Sequence, residues 1–162
     1  MATNRYVSVE GIARRYGSAT VFRDLWFHVA RGEFVCLVGH SGCGKTTVLN
    51  ILAGLDQPSE GSVIVDGQEI SGPSLDRAVI FQGHALMPWM TVEENVAFAL
   101  SCRDPSAPKA RLRDAARAAL EQVGLGHAAQ KKPAQLSGGM KQRVGIARAL
   151  AIRPKMLLMD EP

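Results

Sequence analysis

Apolar and polar positions alternate roughly through RYVSVEGIARRYG, the period of two expected of a β-strand. The stretch LWFHVARGEFVCLVG holds two β-type runs joined at Arg31-Gly32. Its second run, Phe34 to Val38, is continuously apolar, which predicts a strand buried on both faces. A glycine-rich turn follows, and then KTTVLNILAG, which reads as a helix closed by Gly54. QPSEG is a turn cluster, SVIVDG a strand ending in Asp-Gly, and AVIFQ a further short strand ending on Gln82.

After Gln82 the period becomes helical. Thr91-Val92-Glu93-Glu94 has the T-x-x-E form of a capping box and opens a helix through Phe98 and Leu100, broken by DPSAP. KARLRDAARAALEQVGL places Leu112, Ala116, Ala119, Leu120 and Val123 on one helical face, with Gly124 as the stop. From Ser137 a third helix runs to Ile152 and is ended by Pro154, after which MLLMD predicts a last buried strand. The chain carries neither repeats nor low-complexity segments. Its plan is an α/β core, a helical insert from about Gln82 to Leu136, and a return to the core.

With 162 residues the chain has the length of one domain, enough to bury about 70% of its unfolded surface. Its 46% hydrophobic and 21% charged residues are ordinary for a globular protein. No apolar run approaches the roughly 20 residues that span a bilayer, and MATNRYVSVE lacks the apolar stretch of a signal peptide, so a cytoplasmic location is expected. Cys36, Cys43 and Cys102 are odd in number and lack C-x-x-C spacing, which argues for reduced thiols rather than a disulfide framework or zinc site. The net charge of +4 suits nucleic acid, an anionic membrane face or nucleotide phosphates and does not choose among them.

Chemistry enters at GHSGCGKTT, which fits G-x-x-x-x-G-K-[ST] at Gly39, Gly44, Lys45 and Thr46 in a strand–loop–helix setting. Glycines let backbone N–H groups close around phosphate oxygens, and the helix start after Gly44 favours an anion. Gly39, His40, Ser41, Gly42, Cys43, Gly44, Lys45, Thr46 and Thr47 are therefore the candidate ATP-binding loop. His40 and Cys43 fill its free positions. Lys45 would reach the β- and γ-phosphates, and the Thr46 hydroxyl would ligate Mg²⁺. Cys43 should be alkylated in a way that ATP blocks; equal labelling with and without ATP would count against it.

A second phosphate-type helix start lies in LSGGM, where Ser137 precedes Gly138 and Gly139. One nucleotide rarely needs two such sites from one subunit, so the second is expected to serve a neighbour's nucleotide. The order GHSGCGKTT, FQ, LSGGM, LLMDEP resembles the nucleotide-binding subunit of ATP-binding-cassette (ABC) transporters over essentially the whole chain. Met140 departs from the family's LSGGQ; the glycines and Ser137 would still supply the phosphate contacts. The resemblance implies a P-loop NTPase core with a mainly parallel sheet, an N-terminal antiparallel β subdomain and an inserted α-helical subdomain. On this plan residues 1–162 form one ABC ATPase domain, divided into 1–81 (β and P-loop core), 82–136 (helical) and 137–162 (signature helix and Walker B strand).

Residue by residue, the resemblance implies that Tyr16 stacks on adenine and that Gln82 senses Mg²⁺ and the attacking water. Asp160 would hold Mg²⁺ through water, and Glu161 would be the general base that polarises that water. Leu86, Met87, Trp89 and Met90, clustered around Pro88, resemble the stretch that faces the membrane subunit, although an ordinary helical core would use the same residue types. The wording LMPW-TVEENV resembles the nitrate/sulfonate/taurine importer subgroup. The expected cofactors are ATP and Mg²⁺. The expected partners are a transmembrane permease, a second ABC ATPase subunit of the same or a different chain, and, indirectly, a periplasmic or extracellular solute-binding protein. The location expected is peripheral, on the inner face of the membrane.

Rival readings are a nucleic-acid-linked ABC ATPase, a P-loop kinase or GTPase, and a non-catalytic fragment. Lys45 and Ser137 are separated by a compact stretch without sustained heptads, and the basic residues form no stripe with stacking aromatics, so nucleic acid is not an expected partner. A kinase or GTPase has no use for the LSGG helix. Family members continue past Asp-Glu-Pro with a D-loop, another strand and a switch histidine, whereas His28, His40, His84 and His127 all precede Asp160. The chain is therefore expected to be the N-terminal part of a longer polypeptide, competent to bind nucleotide and by itself negligible in hydrolysis.

Overall fold

The computed structural model describes residues 5–161; Pro162, the last residue of the LLMDEP run, lies outside them. The chain divides into two compact units, Met1–Ser74 and Leu75–Pro162.

The first unit is built on an antiparallel sheet. Strands β1 (Arg5–Tyr16) and β2 (Ala19–Ala30) form a hairpin over Gly17-Ser18; β3 (Glu60–Val65) pairs on the other side of β1, and the short β4 (Gln68–Glu69) pairs with β3. The pattern of apolar positions carries into burial: Val7, Val9, Ile12 and Ala13 of β1 are buried, and Val7 and Val9 lie opposite the buried Val65 and Val63. Register shifts between Val9 and Ile12 and on to Arg14 let β1 keep its apolar side inward past Gly11. Helix α1 (Lys45–Ala53) buries Val48, Ile51, Leu52 and Ala53 and ends, as its sequence predicts, on a left-handed Gly54 whose N–H returns to the last turn.

The expected strand at Phe34–Val38 does not form. Residues 33–40 carry no strand pairing, and Phe34 and Val38 are 82% and 91% exposed. A continuous apolar run reports only that a segment suits burial; a ladder also needs a neighbour whose backbone groups face it, and none of the described strands pairs with this one.

In the second unit, β5 (Arg77–Ile80) and β6 (Met156–Met159) form a parallel pair in the register Arg77–Met156 to Ile80–Met159. Among the described residues this pair is the whole of the parallel sheet. Strand β5 stops at Ile80, so Gln82 lies beyond the strand rather than at its end. Three helices accompany the pair: α2 (Val92–Arg103), α3 (Lys109–Gln122) and α4 (Gly138–Ala151). The Thr91 capping box is closed on both sides, with Thr91 Oγ1 accepting from the Glu94 N–H at 3.2 Å and Glu94 Oε2 accepting from the Thr91 N–H at 2.8 Å.

Helix α4 has two apolar sides. Val144 and Ala147 join Val92, Val96, Ala116 and Leu120 in the core shared by the three helices. Ala149 and Ile152 pack with Ala78 and Ile80 of β5. No helix among the described residues is long and apolar enough to cross a membrane.

Candidate nucleotide-binding site

The loop from Gly39 to Gly44 is folded on itself. Gly42 and Gly44 hold φ of 80° and 98°, and a Cβ on Gly44 would stand 2.8 Å from Val21 Cγ1, so both the conformation and the space require glycine. Cys43 donates its N–H to the His40 carbonyl at 3.3 Å, and its Sγ fills the space where a Cβ on Gly39 would be. Lys45 turns back along the loop and donates from Nζ to the carbonyls of Gly39 and His40, both at 2.9 Å. Helix α1 begins at Gly44 with no side-chain cap. Its first-turn amides are the kind of donor set that an anion completes. A triphosphate fits this cradle: narrow loop backbone, an uncapped helix start and an ammonium within reach.

In the second unit the structure joins two residues that lie 79 positions apart: Gln82 Nε2 donates to Glu161 Oε2 at 2.7 Å. Asp160, buried at the end of β6, is fixed by its N–H to the Ile80 carbonyl at 3.0 Å. Glu161 is exposed and turns away with φ 46°. Gln82 and Glu161, the two residues expected to handle the attacking water, thus share one site. Carboxylate and carboxamide oxygens are hard donors, the chemistry that Mg²⁺ and a positioned water call for, and Asp160 precedes Glu161 in the chain.

The third element is the start of α4. Ser137 is its N-cap and accepts the Met140 N–H on Oγ at 3.3 Å. A Cβ on Gly138 or Gly139 would meet nothing within 4 Å, so the face of this helix start is open.

The family model described as ABC transporter matches residues 22–162. The chain belongs to the ABC transporter family. It is 50% identical over 161 residues to the bicarbonate transport ATP-binding protein CmpD of Synechococcus elongatus, covering 97% of this chain and 58% of that protein. It is 46% identical over 161 residues to the nitrate transport protein NasD of Klebsiella oxytoca, covering 96% of this chain and 62% of that protein. The chain thus spans about six-tenths of the length of these relatives. Among solved structures, the dimeric structure of MJ0796, a bacterial ABC transporter cassette, superposes with a TM-score of 0.88 at 33% identity, over 96% of this chain and 74% of that one. A post-hydrolysis state of the same cassette bound to ADP and Pi superposes at 0.86.

Other residues of this ABC cassette take positions that the sequence left open. Tyr16, half exposed at the end of β1, donates its hydroxyl to Asp56 Oδ2 at 2.7 Å and carries the Arg14 guanidinium over its ring at 4.3 Å. Arg14 is also paired with Asp56 Oδ1 at 2.7 Å. Burial pushes the Asp56 carboxyl up, but the Tyr16 hydroxyl, the Gln57 N–H and Arg14 outweigh it and hold it below its ordinary range. One face of the Tyr16 ring is therefore occupied by the Arg14 guanidinium.

Leu86, Met87, Trp89 and Met90 are not alike. Leu86 packs against the helical core, Met87 and Met90 are half-buried, and Trp89 is 69% exposed. Asn95, fully buried on α2, holds this stretch: Oδ1 accepts the Met87 N–H at 2.8 Å, and Nδ2 reaches the carbonyls of Met87 and Thr91 at 3.1 and 2.9 Å. Sequence reasoning passed over Asn95, although a polar residue between Val92 and Val96, on the inward side of a helix, was a readable signal.

Proposed function

We propose that this cassette binds MgATP and, within its complete subunit, hydrolyses it to drive import of a small solute through a membrane permease. The observation that carries this reading is the 2.7 Å contact between Gln82 and Glu161 beside the buried Asp160, in a chain whose P-loop lysine already points into its loop. Lys45 would hold the β- and γ-phosphates, and Thr46, Asp160 and Gln82 would hold Mg²⁺. Glu161 would take the proton of the attacking water, with Gln82 setting the orientation of both. Mg²⁺ supplies the charge that offsets what builds up on the phosphoryl oxygens. Tyr16 would receive the adenine on its uncovered face. Ser137, Gly138 and Gly139 would meet the γ-phosphate held by a second ATPase subunit, identical or different. On this reading residues 82–136 form the helical part of one cassette domain.

Relatives named for bicarbonate and nitrate transport support a small oxyanion as solute and disfavour a nucleic-acid-linked role. Import would involve a solute-binding protein on the far side of the membrane, and the subunit would sit peripherally on the cytoplasmic face. Within the Leu86–Met90 stretch, Trp89 offers the apolar side chain for the permease. The test is MgATP turnover by the purified complete subunit with and without its permease, for the native sequence and for Glu161→Gln. Binding of MgATP by both, with turnover lost in the variant by at least a hundredfold, is expected for loss of a general base. Equal turnover by the two would sink the assignment of Glu161.

A further inference from the structure

We propose that Arg148, more than two turns into α4 from its glycines, is a positioning residue that ties the Ser137–Gly139 helix start to the Gln82–Glu161 pair. The inference rests on the reading of Gln82 and Glu161 just given, but its geometry stands by itself. Arg148 sends Nη1 to the Ala85 carbonyl at 2.7 Å and Nη2 to the His84 carbonyl at 3.3 Å, so one guanidinium holds two consecutive peptide groups. Those two residues are the unusual ones in this stretch. His84 and Ala85 have φ of 60° and 46°, a left-handed conformation uncommon outside glycine and here adopted by two residues in succession. Such backbone persists where its surroundings over-determine it.

The held segment is the end of the turn that carries Gln82. The His84 N–H returns to the Phe81 carbonyl at 2.9 Å, enclosing Gln82 and Gly83, and the Ala85 N–H reaches the Gly83 carbonyl at 2.7 Å. From the top of that turn Gln82 reaches Glu161. On the helix side, a Cβ added to Gly145, one turn before Arg148, would lie 3.7 Å from the same His84 carbonyl, so the α4 backbone itself borders the segment. An unbroken path of short contacts therefore runs from α4 through Arg148 and the two carbonyls to Gln82 and Glu161. Burial disfavours the charge of Arg148, and the two carbonyl oxygens are what offset it. The fork matters: a lysine in its place is a point charge on a flexible stem and lacks the rigid planar pair of donors that fixes both bonds at once.

If α4 moves when a neighbour's phosphate meets Ser137, Gln82 moves with it. A loop staple without this role would also stabilise the segment but would leave the chemistry of Gln82 untouched. The experiment therefore combines amide hydrogen exchange with kinetics on the complete subunit and its permease, for Arg148→Gln and Arg148→Lys. Exchange of the 82–86 amides should quicken about tenfold in Arg148→Gln and less in Arg148→Lys, with the α2 and α3 amides unchanged. Turnover of MgATP should fall about tenfold in kcat with KM within roughly twofold, and Arg148→Gln should cost nothing further in a Gln82→Ala background. Native exchange at 82–86 in either folded variant, or losses at Arg148 and Gln82 that simply add, would overturn the proposal. Absence of turnover in the native complete subunit with its permease would overturn the functional reading instead, and the exchange result alone would then decide the tie.

Discussion

The chain has two glycine-rich helix starts, and they are built in opposite ways. At α1 the loop before the helix closes on itself: Lys45 binds the Gly39 and His40 carbonyls, Gly44 is left-handed against Val21, and no side chain caps the helix. At α4 the helix is capped by its own Ser137, and the glycines border open space. A phosphate arriving at α1 would replace contacts that the loop now makes internally and would be wrapped by it. A phosphate arriving at α4 would meet a finished helix end and gain only the exposed first-turn donors and the dipole. On the function proposed above, the first would hold a ligand alone, and the second would complete a site that another molecule brings.

The sharpest way to break this contrast is at Lys45. Lys45→Ala should weaken ATP binding on the order of a hundredfold by calorimetry, since a charged hydrogen bond to phosphate contributes about 3 kcal/mol. Unchanged affinity would mean that the α1 loop is not the principal phosphate site. Gly44→Ala comes next. Left-handed backbone together with the Val21 contact should lower unfolding free energy by about 2 kcal/mol in a denaturant titration. Ser137→Ala should cost about 1 kcal/mol by the same measurement, as loss of a cap does, and leave single-subunit ATP affinity alone. Smallest in stability is Gly139→Ala, where the added methyl meets nothing and a better helix former gains about 0.5 kcal/mol. Turnover should nevertheless fall, and a Gly139→Ala protein that is more stable and equally active would show that this open face receives no phosphate.

A second pairing shows what an apolar run does and does not tell. Phe34–Val38 and Met156–Met159 both read as buried strands. Met156–Met159 lies in ladder with β5 and buries Leu158, whereas Phe34–Val38 has no partner and stays exposed. Hydrophobicity along the chain is a local quantity, but strand pairing needs a second segment at a defined distance and register.

Local chemistry was enough for most of the elements. The pair of β-type runs joined at Arg31-Gly32 is not one of these, because only the first run forms a strand. The closed Thr91–Glu94 box, the Gly54 and Gly124 stops, the Ser137 cap and the α3 face that buries Ala116 and Leu120 each rest on residues within a turn or two of one another. The same holds for the phosphate loop, whose glycines and lysine are contiguous. Tertiary structure alone decided that Asn95 anchors the Met87–Thr91 stretch from inside the helical core, that Asp56 and Arg14 fix Tyr16, and that Arg148 clamps two left-handed peptides. It also decided that Gln82 meets Glu161. Those last two contacts join residues 63 and 79 positions apart. A hydrogen bond across such a span leaves no periodicity or cap in the sequence, because its two ends are brought together only by the packing of α4 and β6 beside β5.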